Sequence, residues 1–495
     1  MSIHKKYPFL KAEQPCLLSW IFQRTFKKQG VFRKVFSFAM MGVFVSCATE
    51  KEHGDLPLLK ISENKRYVVT QDGKPFFWLG DTGWLLFNKM NRDEAEQYLE
   101  DRRQKGFNVI QAMVLHTVPS VNAYGDSSVI NADISRPLVT TGNNPNHADE
   151  YDYWDHIDYI INKAAEKGIY MALVPVWGSP VKDGKVSVEQ AEQYAKFLAE
   201  RWKDRSNIIW LNGGDIKGSD KIDVWKKIGQ TIKSIDPKHL MTFHPRGRTA
   251  SSDWFHNESW LDFNMVQSGH RRYDQDTSKN EQKHYGEDNW KFMAADWDLK
   301  PVKPTIDGEP SYEGIPQGLH DITEPRWTDA DVRRYGYWSV FAGAFGYTYG
   351  QNSVMQMHSK KDTTSAYGSD EVWSSAIHAP GASQMKYLKE LMLSRTDYFD
   401  RIPDQTLIVD NGEKYDRLLA TRTDHYAFIY NYTGRPMTVN MGKIKGSKVK
   451  ASWFNPRNGE TKVIGEMENK GIQHFTPEGG QKEGNDWVLI LDSVS

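Results

Sequence analysis

The chain has 495 residues, and its 63 Lys and Arg against 64 Asp and Glu leave a net charge of -1, so no bulk field draws it to nucleic acid or to an anionic membrane. With 39% hydrophobic and 13% aromatic residues it can bury a large core, which excludes a disordered, collagen-like or coiled-coil chain. The length allows two to four domains of about 150 residues, or one barrel of about 250 or more with a smaller companion.

Lys27, Lys28, Arg33 and Lys34 precede an apolar run over 35–45 that is too short to span a bilayer and ends in Ser46-Cys47. This is the layout of a secretory signal. The stretch Phe44-Val45-Ser46-Cys47 resembles a bacterial lipobox, with Phe44 where Leu is usual, so Cys47 is expected to be lipidated and to become the first mature residue. Residues 1–47 then form a leader and lipoprotein-type signal peptide, and 48–57 a linker. The leader up to about Gly30 exceeds the 15 to 30 residues such signals take, as though translation started further downstream. The expected location is across the inner membrane, lipid-anchored in the periplasm or on the outer-membrane surface. Cys16 and Cys47 are the only cysteines, so a mature chain has no disulfide and no thiol for catalysis.

From residue 76 onward, apolar runs alternate with amphipathic stretches. Runs over 76–80, 108–115, 170–177, 208–212, 240–244, 263–267, 304–307 and 346–349 each read as a buried strand. Between them, 93–104, 154–166, 188–202, 222–235 and 329–341 carry apolar residues at spacings of three and four, the signature of a helix with one buried face. Eight strands alternating with helices predict an α/β fold, a (β/α)8 TIM barrel over 58–400. An open doubly wound sheet would carry a Gly-rich phosphate loop after its first strand, and the turn here is Gly80-Asp81-Thr82-Gly83-Trp84. Longer insertions over 117–150, 271–284 and 350–377 all follow strands, on the loop face where barrels build their sites.

Beyond about 406 the pattern changes to short alternating segments, 418–421, 426–430, 449–453 and 487–491, separated by turns. These predict a small C-terminal β-sandwich over 401–495. Asn455-Pro456-Arg457-Asn458-Gly459 supplies hairpin turn chemistry, with Gly459 free to take a positive φ. A hydrophobic face shared between the two domains would make the tail a structural support, and that is its expected role.

The C-terminal ends of the barrel strands carry Asp81 and Trp84, His116, Trp177, Asn212 and Asp215, His244 and Arg246, Gln267 and His270, Glu309 and Tyr312, and Tyr349 and Gln351. Such a convergence of polar and aromatic groups predicts a site. The fourth run ends Trp210-Leu211-Asn212-Gly213-Gly214-Asp215 and the seventh Ile306-Asp307-Gly308-Glu309-Pro310, each presenting a carboxylate just past a buried segment. Two carboxylates on opposed strands are what glycoside hydrolysis requires: one protonates the leaving oxygen while the other attacks the anomeric carbon or activates water. Each residue also has a plainer reading. Asp215 could close a turn, although Ser219 or Asp220 would cap the next helix more naturally; Glu309 could pair with Arg246 or Arg333; Asp81 could bind a sugar hydroxyl or cap the helix that follows. Trp84, Trp177 and Tyr349 serve equally as core residues or as platforms for sugar rings, a use that the 17 Trp and 23 Tyr of the chain would suit. His116, His244 and His270 have no metal-ligand spacing, which favours hydrogen bonding and predicts no metal and no cofactor.

Phe77-Trp78-Leu79-Gly80-Asp81-Thr82-Gly83-Trp84, Trp210 to Asp215 and Asp307-Gly308-Glu309-Pro310-Ser311-Tyr312-Glu313-Gly314 resemble the marker segments of the apiosidase-like glycoside hydrolases, glycoside hydrolase family 140. The resemblance spans about 58–395. The segment Trp453-Phe454-Asn455-Pro456-Arg457-Asn458-Gly459 is similar to the C-terminal module of such proteins, which carries a collagen-binding label. The resemblance implies a (β/α)8 barrel, Asp215 as acid/base, Glu309 as nucleophile, and release of apiose-linked side chains of rhamnogalacturonan II, a pectin. In related retaining barrels a Glu directly follows the Asn of strand four, whereas here two glycines and an Asp follow Asn212, so reach and pKa must be set differently.

The expectation is therefore a monomeric bacterial glycosidase of the retaining type, acting on apiosidic or related furanosidic linkages in a polysaccharide or oligosaccharide. Asp81, Trp84, His116, Trp177, Asn212, His244, Gln267, His270, Tyr312, Tyr349 and Gln351 would hold substrate. It needs no nucleic acid, and it meets a membrane only through its anchor. The alternatives are a catalytically silent surface protein that captures glycans, a glycosidase for a different plant or host glycan, and an adhesion factor acting through the tail.

Overall fold

The computed structural model describes residues 56–279 and 283–494. The expected leader, the lipobox and Cys47, and all but the last two residues of the expected linker lie outside the described residues. Among the described residues no helix is long and apolar enough to cross a membrane.

Eight parallel strands form the barrel: β1 (Trp78–Thr82), β2 (Val109–Met113), β3 (Tyr170–Val174), β4 (Ile208–Ile216), β5 (Met241–Pro245), β6 (Asn264–Gln267), β7 (Thr305–Asp307) and β8 (Gly346–Tyr349). Their order is β5-β4-β3-β2-β1-β8-β7-β6, and a short strand, Thr249–Ala250, pairs with the far edge of β6. No regular ladder joins β5 to β6. Instead the Asp262 N–H donates to Met241 O at 2.8 Å and the Thr242 hydroxyl to Phe263 O at 2.6 Å, which closes the circle through single bonds. A three-stranded antiparallel sheet, Leu59–Ile61, Val68–Thr70 and Pro75–Phe76, precedes β1. It packs at the N-terminal end of the barrel, where Phe76 meets the Tyr170 ring edge-on at 5.2 Å.

Helices α1 (Arg92–Gln104), α2 (Tyr153–Glu166), α3 (Val188–Trp202) and α4 (Ile222–Ile235) follow β1 to β4. The first three start where a side chain can satisfy their free N–H groups: Asn91 with Glu94, Asp152 with Asp155, and Ser187 with Gln190 form reciprocal capping boxes. Each such cap contributes about 1 kcal/mol. The fourth helix differs from the sequence expectation: its N-cap is Lys221, in the left-handed region at φ 59°, with no side-chain cap, and neither Ser219 nor Asp220 takes that place. It is held by packing instead, with Val224, Trp225, Ile228, Gly229 and Ile232 buried and Trp260 so close over Gly229 that a Cβ there would lie 2.5 Å from the indole. After β5 the helix shrinks to one turn, Ser252–Phe255. Helices α5 (Trp290–Trp297), α6 (Asp329–Phe341) and α7 (Pro380–Leu393) complete the outer ring.

The tail is a sandwich of unequal sheets. Strands β9 (Leu418–Arg422), β10 (Tyr426–Asn431), β11 (Lys448–Phe454), β12 (Thr461–Glu468) and β13 (Trp487–Val494), with the short edge Ile402–Pro403, make a six-stranded sheet. Met437–Asn440 and Ile472–Phe475 make a two-stranded one, and apolar residues of both sheets form a separate core. The outer face of the larger sheet lies against α6: Tyr337 stacks on Tyr430 at 4.7 Å with rings 11° from parallel, while Arg333 holds Asp486 through Nε at 2.9 Å and Nη2 at 3.0 Å, both groups buried. The β11–β12 hairpin turn has Gly459 at φ 77°, pressed on Tyr387 of α7 so that a Cβ would come within 2.5 Å of the ring. Barrel and tail therefore share one hydrophobic cluster, running from Phe341 through Phe428 and Tyr430 to Ile490.

Candidate active site

The site is a cavity of about 660 Å³ at the C-terminal ends of the barrel strands, a volume suited to a few sugar rings. Trp84, His116, Trp177, Asp215, Gln267, His270, Glu309 and Tyr312 all line it, so eight of the residues expected from sequence are brought together.

Asp215 reaches the cavity because the chain bends sharply out of β4. Gly213, Gly214 and Asp215 all have positive φ, at 89°, 118° and 46°, and the register with β5 shifts between Gly213 and Ile216. Only glycine fits the first two positions. A Cβ on Gly213 would lie 2.7 Å from His244 O, and one on Gly214 would lie 2.5 Å from the Trp177 ring. The left-handed Asp215 costs of order 1 kcal/mol, strain held by the packed loop. This bend answers the question of reach posed by an Asp two glycines beyond Asn212. The Asp215 residue is exposed to the cavity while protein crowds its other sides. That loss of bulk solvation, reinforced by the Glu309 charge, raises its pKa to about 6 against the opposing pull of His244, a Gln267 hydrogen bond and Arg246.

Glu309 sits two residues past β7 and is buried, with 7% of its surface exposed. Gln111 on β2 donates from Nε2 to Gly308 O at 2.9 Å, tying the strand end across the barrel, and the Gly269 N–H donates to Glu309 O at 3.1 Å. His270 Nε2 is 3.1 Å from Oε1, and His244 Nε2 is 3.3 Å from Oε2. Burial acts to raise this carboxyl, but the two facing imidazoles, His244 and His270, outweigh it and hold the pKa at about 2. The His244 contact is close but poorly aligned as a hydrogen bond, so His270 is the firmer donor.

Aromatic rings enclose the pair. Trp84 and Trp177 meet at 5.3 Å, and both lie over His244 at 5.2 and 6.0 Å. Trp84 Nε1 donates to the Tyr312 hydroxyl at 3.2 Å, and the Tyr312 ring abuts His270 at 4.8 Å. Burial, and then the Glu309 charge, raise the Tyr312 pKa, so its hydroxyl stays protonated and able to donate.

Other expected residues do not face the cavity. Asp81 is fully buried on the opposite side of β1, accepting from Tyr98 Oη and Arg102 Nε at 2.6 Å each, so it neither binds a sugar nor caps a helix. Asn212 donates to Trp225 O at 2.8 Å and accepts from the Gly213 N–H, which fastens the loop to α4. Tyr349 donates to Glu313 Oε2 at 2.6 Å, and Gln351 caps the short helix Asn352–Met355. His244 stands behind the cavity wall, fully buried, and touches Glu309 rather than open space. Nor does Glu309 pair with Arg333, whose guanidinium is held by Asp486 and Asp329.

Sequence reasoning passed over Lys182, Lys217, Arg248, Arg271, His320 and Tyr367, which also line the cavity. Lys182 ends the one-turn helix Gly178–Lys182, Tyr367 sits in the 3-10 turn Ala366–Gly368, and the other four come from loops, so no periodicity marks them. Among the described residues no group of three or more His, Cys, Asp or Glu is placed to hold a metal ion.

This geometry, two carboxyls of opposed pKa above a barrel, defines a glycoside hydrolase, and comparison agrees. The family described as "Apiosidase-like, catalytic domain" matches residues 62–400, and "Putative collagen-binding domain of a collagenase" matches 402–492. The chain belongs to the apiosidase-like family. It is 51% identical to a solved structure named "Glycoside hydrolase", covering 88% of this chain and 97% of that one with a TM-score of 0.83. A second, titled as a glycoside hydrolase family 5 from Bacteroides vulgatus ATCC 8482, is 48% identical over 89% and 94% of the two chains, also at 0.83. Among curated proteins none matches.

Proposed function

We propose that this protein cleaves apiosidic or related furanosidic linkages in pectin, on the side chains of rhamnogalacturonan II, with retention of configuration. The observation that carries the reading is the opposed setting of the two carboxyls: Asp215 at about 6 is protonated in mildly acidic solution, while Glu309 at about 2 is ionised. In the first step Glu309 attacks the anomeric carbon as the glycosidic C–O bond breaks, and the proton of Asp215 passes to the leaving oxygen. In the second, Asp215 takes a proton from water, the hydroxide adds to the anomeric carbon, and Glu309 departs as carboxylate. Tyr312 and His270 hold Glu309 in place, and Trp84, Trp177, His116 and Gln267 offer stacking faces and hydroxyl partners.

An acidic polymer suits the rim. Lys182, Lys217, Arg246, Arg248 and Arg271 line the cavity against Asp215, Asp220 and Glu309, a basic excess that favours a uronate-bearing glycan. The proposal places the protein outside the cytoplasm as a monomer anchored through Cys47, which the mass of the mature N-terminus tests.

The deciding experiment is product release from a pectin panel that includes rhamnogalacturonan II, with wild type, Asp215→Ala and Glu309→Ala, and NMR of the product anomer. Release abolished by both substitutions with a retained anomer is expected. An inverted anomer refutes double displacement; absence of release from every glycan, with binding kept, replaces the enzyme by a glycan-capture protein.

A further inference from the structure

We propose that His244 is a positioning residue that sets both carboxyls at once, holding the acid/base loop through Nδ1 and the nucleophile through Nε2. The inference rests on the two-carboxylate reading above and adds a residue that lies behind the cavity and never touches substrate.

The argument starts from the two ring nitrogens. The Asp215 backbone N–H donates to His244 Nδ1 at 3.3 Å, so Nδ1 bears a lone pair and the ring proton is on Nε2. Nε2 in turn lies 3.3 Å from Glu309 Oε2. These two atoms are buried, and neither has another hydrogen-bond partner, so each is the other's nearest opportunity. Substrate binding needs to close the gap by only a few tenths of an ångström, as resting catalytic contacts often do. The ring itself is fixed: His244 is fully buried on β5, with Trp84 edge-on at 5.2 Å and Trp177 tilted at 6.0 Å.

The backbone is shaped to permit this bridge. Gly213 lets the bent chain pass over His244 O, where a Cβ would stand 2.7 Å away, and the bend delivers the Asp215 N–H to the ring. The charged and titratable groups around the ring are Asp215 from β4, Glu309 from beyond β7, His270 from beyond β6 and Arg246 on its own strand side. One imidazole thus replaces two separate supports, and only a side chain with an acceptor and a donor on opposite edges can do so.

Two substitutions separate the halves. His244→Asn keeps an acceptor near Nδ1 and loses the donor; His244→Gln keeps a donor near Nε2 and loses the acceptor. In H244N the acid limb of kcat/KM is expected to move up by about one pH unit, because Glu309 loses the Nε2–H that favours its ionised form, while the basic limb, set mainly by desolvation of Asp215 and the Glu309 charge, moves by less. In H244Q the acid limb should stay and kcat should fall about tenfold or more, as the acid loop loses its anchor. Equal losses in both variants with unchanged pH limbs would reduce His244 to a packing residue and overturn the proposal. Two readouts need no turnover and so stand apart from the glycosidase reading: ring ¹⁵N shifts of wild-type His244, expected for the neutral Nε2–H form, and ¹³C titration of the Glu309 carboxyl, whose midpoint should rise in H244N only. A proton on Nδ1, or a midpoint indifferent to H244N, contradicts the bridge even where neither variant folds well enough for kinetics.

Discussion

The ends of β4 and β7 offer the same chemical group from opposite walls of the barrel, and almost everything else about them differs. At β4 a strained, glycine-bent loop pushes Asp215 into the cavity, and desolvation raises it. At β7 a short strand keeps Glu309 within the wall, clasped by His244 and His270, and they lower it. A carboxyl becomes an acid or a nucleophile through its surroundings, and the backbone that delivers it decides those surroundings.

The largest effect expected is at β7. Glu309→Ala should lower kcat by about 10⁴-fold or more, since no covalent intermediate can form, while the melting temperature changes little; turnover within tenfold of wild type would break the comparison. Asp215→Asn should cost about 10² to 10⁴-fold, and less on a substrate whose leaving group needs no proton. An equal loss on activated and unactivated substrates would assign the acid elsewhere.

Asp81 sharpens the contrast from the structural side. Asp81→Ala leaves the buried Arg102 guanidinium only its Asp101 carboxylate and should destabilise the protein by about 3 kcal/mol, read by chemical denaturation, with the pH limbs of the surviving activity unchanged. The pH profile itself is next in size. Activity should be retained down towards pH 2, where Glu309 takes a proton, and fall as pH rises through about 6, where Asp215 loses the one it must donate. A flat profile up to pH 8 would reverse the sign assigned to Asp215. Smallest is Trp177→Ala, expected to raise KM about tenfold through lost stacking with a modest change in kcat.

Much of this arrangement is legible in the chain. All eight barrel strands coincide with the apolar runs, because buried parallel strands need them, and four tail strands match the alternating segments, whereas Met437–Asn440, Ile472–Phe475 and the largely exposed Thr461–Glu468 lay outside them. The two carboxylates were found by position, one past each run. What position alone missed was side-chain direction. Asp81 shares a parity with Leu79, and Asn212 with Trp210, whose indole bonds Asp236 at the end of α4; alternate residues on a strand face the helices, and Asp81 and Asn212 obey that alternation, which in β4 holds until Gly213. Arg102 and Tyr98, four apart on α1, were the available signal that Asp81 has partners there. The basic rim was hidden for another reason: Arg248, Arg271 and His320 lie between helices and strands, where no hydrophobic period marks them.

The tail teaches the complementary lesson. Its aromatic face against α6 and the buried Arg333–Asp486 pair make it part of the barrel's support, in keeping with the role its sequence suggested.

The most direct test of the acid and nucleophile assignment is azide rescue of the two alanine variants on the substrate that the pectin panel identifies. With Asp215→Ala, azide should attack the glycosyl-enzyme formed on Glu309 and give a glycosyl azide of retained configuration. With Glu309→Ala, azide should take the place of the missing carboxylate and give the inverted azide. The opposite pattern, or rescue of neither variant, would contradict the division of roles between the two strand ends.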